Sequence, residues 1–126
     1  MVSTASEVAS KALANAKSLM RAGAPAHEVL EAGRSVIDDA NIGYKQGRRV
    51  AYGIGIALPP GWAKVAYFQS MLMKNGCYRQ VWFFHLITTM RFSGVGAIGS
   101  SDTVRVTATG LETLTSVIPP GIQTSN

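Results

Sequence analysis

Three glycines form the pattern in this chain that comes nearest to a known binding motif. Gly94, Gly96 and Gly99 give G-x-G-x-x-G, which in dinucleotide-binding proteins lets a phosphate approach the N-terminus of a helix. That chemistry needs a strand before the pattern and a helix after it. Residues 103–109 alternate like a strand instead, and no acidic residue lies at the expected ribose-binding position. We therefore interpret the glycines as a loop between strands and predict no cofactor.

Cysteine and histidine offer two further kinds of site. Cys77 and His85 are the residue types of a Cys-His nucleophile, but on one continuous strand they would stand about 26 Å apart at ~3.3 Å per residue. The second histidine, His27, has Glu31 on the same helical face but lacks a third ligand for zinc. The sequence therefore predicts neither catalytic residues nor a metal site.

Positive charge is the third chemical feature. Twelve Lys and Arg against seven Asp and Glu give a net charge of +5, and the densest basic patch spans residues 44–49. Such a patch suits contacts with nucleic-acid phosphates, and an alternative is a solvated loop whose charges protect an edge strand from pairing. The candidate nucleic-acid residues are Lys45, Arg48, Arg49, Lys64, Lys74 and Arg79.

Two helices and about five strands would position these residues. Thr4 and Glu7 have the spacing of a capping box, so we expect a helix over 5–21, ending near Gly23. Pro25 suits the first turn of a second helix over 26–40. Beyond residue 47 the apolar residues alternate with a period of two, which predicts strands at 48–58, on both sides of residues 75–76, and at 103–109 and 111–118. A Gly-Ser loop is expected at 93–102.

This order predicts an α+β fold in which two N-terminal helices precede an antiparallel meander of about five strands. The chain is short enough for a single domain over residues 1–126. Its helical part would cover about 4–40 and its strand part about 48–118, with a polar tail at 119–126.

A hairpin turning at Asn75 and Gly76 dominates the second half of the chain, since Asn-Gly favours the type I′ turn of tight hairpins. Both faces of this hairpin are largely apolar, so both need cover. Two helices can cover one face, and we expect the other to meet a second copy of the chain. The candidate interface residues are Tyr67, Met71, Met73, Tyr78, Trp82 and Phe84.

Composition supports the same expectation. Hydrophobic residues make up 47% of the chain and charged residues 15%, against about 25% charged in ordinary domains. The leading hypothesis is a non-enzymatic structural subunit that forms homo-oligomers, with itself and other subunits of a viral, phage or secretion-type assembly as partners. The alternatives are a nucleic-acid-binding module that uses the basic loop and one sheet face, and a small enzyme whose site lies between subunits.

The expected cellular location depends on whether the sequence contains a membrane-spanning segment or a signal peptide. The longest apolar stretch, residues 50–63, has about 14 residues and contains Pro59 and Pro60, whereas a span needs about 20. We therefore expect no membrane span. The N-terminus lacks the features of a signal peptide, and a single cysteine excludes an internal disulfide. Both observations favour the cytoplasm or the interior of an assembled particle.

Overall fold

The computed structural model describes residues 2–42, 50–54 and 76–117, and the backbone of 45–46. Several predicted features lie outside these residues: the first arm of the hairpin, the turn residue Asn75, three interface candidates and four basic candidates. They are Tyr67, Met71, Met73, Arg48, Arg49, Lys64 and Lys74.

Two helices open the described part of the chain. Helix α1 runs over Val2–Leu19 and helix α2 over Ala26–Ala40. The buried positions of α1 recur at helical spacing and are mostly alanines, so α2 and the sheet can approach its backbone closely. The predicted bounds of α2 are confirmed, with Pro25 at the N-cap position just before it.

The predicted capping box at the start of α1 is wrong. Thr4 lies inside α1, which begins at Val2. The hydroxyl of Ser3 donates a hydrogen bond of 3.3 Å to Glu7 Oε1, one helical turn further on. The helix therefore begins before Thr4, the residue that the capping pattern predicted as its N-cap.

Five strands form one antiparallel sheet. They are β1 (Lys45–Gln46), β2 (Ala51–Gly53), β3 (Phe83–Phe92), β4 (Gly96–Val106) and β5 (Leu111–Thr113). Strands β3, β4 and β5 form a meander, while β1 and β2 both pair with β3 at its two ends. The predicted α+β class, two helices followed by an antiparallel sheet of about five strands, is confirmed.

The loop predicted at 93–102 is wrong. A turn covers residues 93–95, and Gly96 already begins β4, whose first half pairs along β3. Glycine and serine are poor strand formers, but Ser100 and Asp102 are buried on the helix side of the sheet, where polar partners hold them. The strand predicted at 103–109 is only the second half of β4.

The second arm of the predicted hairpin begins later than expected. Residues 76–78 run beside the connection between the helices: Ala26 N–H donates to Gly76 O at 2.8 Å, and Tyr78 N–H to Ala24 O at 3.0 Å. A turn follows, in which Val81 has a φ of 69°, and β3 starts only at Phe83. The backbone groups between the helices need partners, and residues 76–78 supply them.

The core lies between the helices and one face of the sheet. Alternate residues of β3 point to the helices and are buried: Phe84, Leu86, Thr88, Met90 and Phe92. Alanine and leucine side chains of α1 pack against them. In the part of the chain that the structure describes, neither helix is long and apolar enough to cross a membrane.

Candidate functional site on the outer face of the sheet

The outer face of the sheet, the side turned away from the two helices, carries the chemically useful residues. On β3 it consists of Phe83, His85, Ile87, Thr89 and Arg91, each at least partly exposed between buried neighbours. Strand alternation produces this pattern, because successive side chains point to opposite faces. On β4 the outer face carries Ser101, Thr103 and Arg105.

A row of three side chains crosses the outer face on neighbouring strands. Tyr52 of β2 and Thr103 of β4 are both directly opposite His85 in the register. The Tyr52 and His85 rings are tilted by 49° with centroids 5.1 Å apart, and His85 Nδ1 lies 3.4 Å from Thr103 Oγ1. All three side chains are half-buried. The row thus presents an imidazole that a hydroxyl and a phenol ring hold in place.

Charged side chains lie on both sides of this row. Arg105 and Glu112 form an exposed ion pair between β4 and β5, next to the exposed ring of Phe83. Arg91 lies toward the other end of β3, beyond Thr89. Among the described side chains of this face, two arginines and one glutamate give a net charge of +1 when His85 is neutral. Such a face can attract a carboxylate and offer hydrogen bonds to an amide.

The polar residues on the helix side of the sheet have structural partners instead. Lys17 Nζ lies 2.7 Å from Asp102 Oδ2, and Thr115 Oγ1 donates to Asp102 Oδ1 at 2.8 Å. Thr88 Oγ1 donates to Ala9 O at 2.7 Å and lies 3.2 Å from Ser100 O. These groups join α1 to the sheet, and they do not face the row around His85.

The predicted interface residues that the structure describes lie mainly inside the protein. The rings of Tyr78 and Phe84 are 2% and 0% exposed and meet edge to face, with centroids 4.9 Å apart. Burial raises the pKa of the Tyr78 phenol well above its ordinary value. Trp82 is half-buried against this core. The chain's own core therefore buries Tyr78 and Phe84, two of the residues expected to bind a second copy.

Arg79 is the nucleic-acid candidate whose side chain the structure describes. It is exposed, and its guanidinium carbon lies 5.7 Å from the centre of the Trp82 ring. Of Lys45 the structure describes the backbone, which pairs with Arg91. Nucleic-acid binding and homo-oligomer formation stay predictions.

The glycine pattern and the Cys77–His85 pair do not form sites in the structure. No helix follows Gly99, which lies within β4. Cys77 is exposed, and its backbone forms an isolated antiparallel β-bridge with Pro25, beside the connection between the helices. His85 lies on β3, and residues 77–85 are not one continuous strand. Sequence reasoning missed the row of Tyr52, His85 and Thr103, because strand register decides which residues face one another. Alternation separates the two faces of each strand, but it does not show which face the helices cover.

Comparison with known proteins shows which solved structures share this fold. No protein-family model matches the chain, and no curated protein does. Solved structures do match. X-Pro aminopeptidase from Thermotoga maritima MSB8 superposes with a TM-score of 0.78 and 20% identity, over 96% of this chain and 32% of that one.

Two further structures agree. Dipeptidase PepE from Mycobacterium ulcerans has a TM-score of 0.74 and 23% identity, over 96% of this chain and 31% of its own. Xaa-Pro dipeptidase from Bacillus anthracis has a TM-score of 0.74 and 21% identity, over 94% and 31%. The chain thus spans about a third of the length of these peptidases and shares the fold of that third.

The hypothesis of a non-enzymatic structural subunit of a particle is wrong. The three solved structures named above are peptidases, and this chain shares the fold of about a third of each, so the fold is enzyme-related. The hypothesis failed because it explained the apolar composition by contacts between copies. Part of that apolar surface, including Tyr78 and Phe84, is instead buried in the chain's own core.

Proposed function

We propose that the chain is part of a hydrolase related to X-Pro peptidases, and that the outer face of its sheet is part of the substrate-binding surface. The observation that carries this proposal is the shared fold, which extends over 96% of the chain with a TM-score of 0.78 to an X-Pro aminopeptidase. The substrate class that follows is a short peptide or peptide-like amide with proline after the scissile bond.

The chemistry of the outer face supports this substrate class. An imidazole can donate or accept a hydrogen bond according to its tautomer, so His85 can bind either the carbonyl or the N–H of an amide. The Thr103 hydroxyl orients that ring, and the Tyr52 ring limits its rotation from the opposite strand.

His85 is the residue with which to test the proposal. Its loss should lower kcat/KM for Ala-Pro hydrolysis by roughly 10²–10⁴ if it transfers a proton, and by about tenfold if it only binds. We expect His85→Gln to show such a loss when released proline is measured. The matched control is His27→Gln, which removes the chain's other histidine from an exposed position on α2.

The outcomes separate clearly. Activity that is lost with His85→Gln and kept with His27→Gln supports the proposal. Equal activity of the two variants would exclude the outer face as the substrate surface. A wild-type protein that releases no proline from any Xaa-Pro dipeptide would contradict the proposed hydrolase class.

A further inference from the structure

Aminopeptidases are among the enzymes that hydrolyse their substrates at pairs of metal ions about 3.5–4 Å apart. Catalytic zinc needs three protein ligands that converge on one point, and the usual ligands are histidine, cysteine, aspartate and glutamate. Whether this chain can hold such a metal depends on where its residues of these four types lie. The question concerns the same sheet face as the proposed function and depends on that proposal only for the location.

The chain has ten residues of these types, and the structure describes all of them. Residues 43–44, 47–49, 55–75 and 118–126 contain none. Six of the ten lie on the helices, one on α1 and five on α2, away from the outer face of the sheet. Across the described residues, no three of the ten come together as a group that could hold a metal ion.

The four that remain lie apart from one another or have other partners. Cys77 is beside the helix connection, and Asp102 faces the helices, where Lys17 and Thr115 hold its carboxylate. On the outer face, Glu112 pairs with Arg105 at the β4–β5 edge. That leaves His85, whose nearest partners across the strands are a phenol and a hydroxyl rather than ligands of the usual kinds.

We infer that this chain, although it shares the fold of about a third of X-Pro peptidases, holds no divalent metal of its own and binds its ligand through neutral and cationic side chains. Hydrogen bonds from His85 and Thr103 would take the place of metal contacts on the outer face. A metal in the proposed hydrolytic site would need ligands from outside these residues.

The test is the metal content and metal affinity of the full wild-type chain, with Co²⁺ as the probe. Bound Co²⁺ can be counted by elemental analysis after gel filtration, and its ligand-field absorption reports coordination by protein groups. We expect wild type to retain far less than one Co²⁺ per chain and to show no ligand-field band. About one Co²⁺ per chain, lost with His85→Gln, would overturn the inference.

A designed gain of ligands supplies the positive control. Ile87 and Ser101 are directly opposite each other on the outer face. Ile87 is the outer-face neighbour of His85 on β3, and Ser101 is the outer-face neighbour of Thr103 on β4. Carboxylates at both positions would converge beside His85. Ile87→Glu/Ser101→Glu should therefore gain a Co²⁺ band that a further His85→Gln weakens. If the double variant does not fold, the wild-type titration still decides the question.

The inference and the proposed function fail in different experiments. Ala-Pro hydrolysis that a chelator abolishes, with Co²⁺ retained by wild type, would overturn the inference and keep the hydrolase. No hydrolysis together with no bound Co²⁺ would overturn the hydrolase and keep the inference. Hydrolysis that a chelator leaves unchanged supports both.

Discussion

Lys17 Nζ lies 2.7 Å from Asp102 Oδ2, and this ion pair joins α1 to β4 on the helix side of the sheet. The Asp102 side chain is 7% exposed and also accepts a hydrogen bond from Thr115 Oγ1, just after β5. One carboxylate thus connects a helix, the longest strand and the segment that follows the last strand. Because β4 also carries Thr103, the pair helps to fix the strand beside His85.

Removal of the Asp102 carboxylate should destabilise the protein. Asp102→Ala leaves the Lys17 ammonium largely buried without its partner. Loss of one member of a buried pair costs about 3–5 kcal/mol, and we expect about 2–3 because Lys17 retains some exposure. Urea unfolding measures this change. In a Lys17→Met background the same substitution should cost clearly less.

The exposed ion pair on the outer face is the control for this prediction. Arg105 and Glu112 are about half-exposed, and such pairs contribute at most about 1 kcal/mol. Glu112→Gln should therefore change the free energy of unfolding by less than Asp102→Ala. An Asp102→Ala loss no larger than the ~1 kcal/mol expected of an exposed pair would mean that the Lys17–Asp102 pair does not stabilise the fold.

The Thr88 hydroxyl gives a second prediction, on the contact between α1 and β3. Thr88→Val keeps the shape of the side chain but loses the hydrogen bond to Ala9 O. The two carbonyl oxygens around it then lose a buried donor, and we expect a loss of about 1–2 kcal/mol. The matched control is Thr89→Val on the outer face of the same strand, with an expected change within about 0.5 kcal/mol. A larger loss at Thr89 than at Thr88 would contradict the assignment of the two faces.

Burial of Tyr78 predicts a dependence of stability on alkaline pH. The pKa of its phenol is raised by burial, so the folded chain keeps a proton that the unfolded chain loses near pH ~10. This contribution is fully present below about pH 10 and is lost as the pH rises, by up to about 1.4 kcal/mol per pH unit. Tyr78→Phe removes it. The free energy of unfolding should therefore fall less steeply above pH ~10 in the variant, and parallel curves would contradict the prediction.

Close packing of the helices predicts a graded response at Gly33. A Cβ atom there would lie 3.2 Å from Val50 Cγ1 and 3.5 Å from the Ala16 Cβ. Gly33→Ala should be nearly neutral, because about 1 kcal/mol gained in helix propensity offsets a small shift of Val50. Gly33→Leu has no room and should cost about 1–3 kcal/mol or more. Thermal unfolding of both variants measures the difference, and equal stability of the two would refute the close contact.

The sequence predicted the order of elements better than their pairing. Helical spacing located both helices, and alternation located the faces of β3, because each depends on local periodicity. The first half of β4 was missed because its glycines and serines resemble a loop, whereas its backbone pairs with β3 from Gly96 onward. The assembly hypothesis failed because alternation does not show whether a helix or a second chain covers Phe84.

The candidate site depends on the same missing information. His85 was considered as a partner of Cys77, its neighbour along the chain, whereas Tyr52 and Thr103 meet it across strands. Register among three strands is set by the whole sheet. No short sequence motif indicates this register. The sequence therefore shows the residue types of the row, but not that they lie side by side.

The most direct test of the outer-face site is an NMR titration of the histidine ring protons with an Ala-Pro analogue in which a reduced bond replaces the amide. His85 lies on the proposed binding surface and His27 on the exposed start of α2, so one spectrum contains both the site and its control. We predict saturable shifts of the His85 ring protons, with accompanying shifts of the Tyr52 ring, and no shift at His27. Unchanged His85 resonances at saturating ligand would contradict the account.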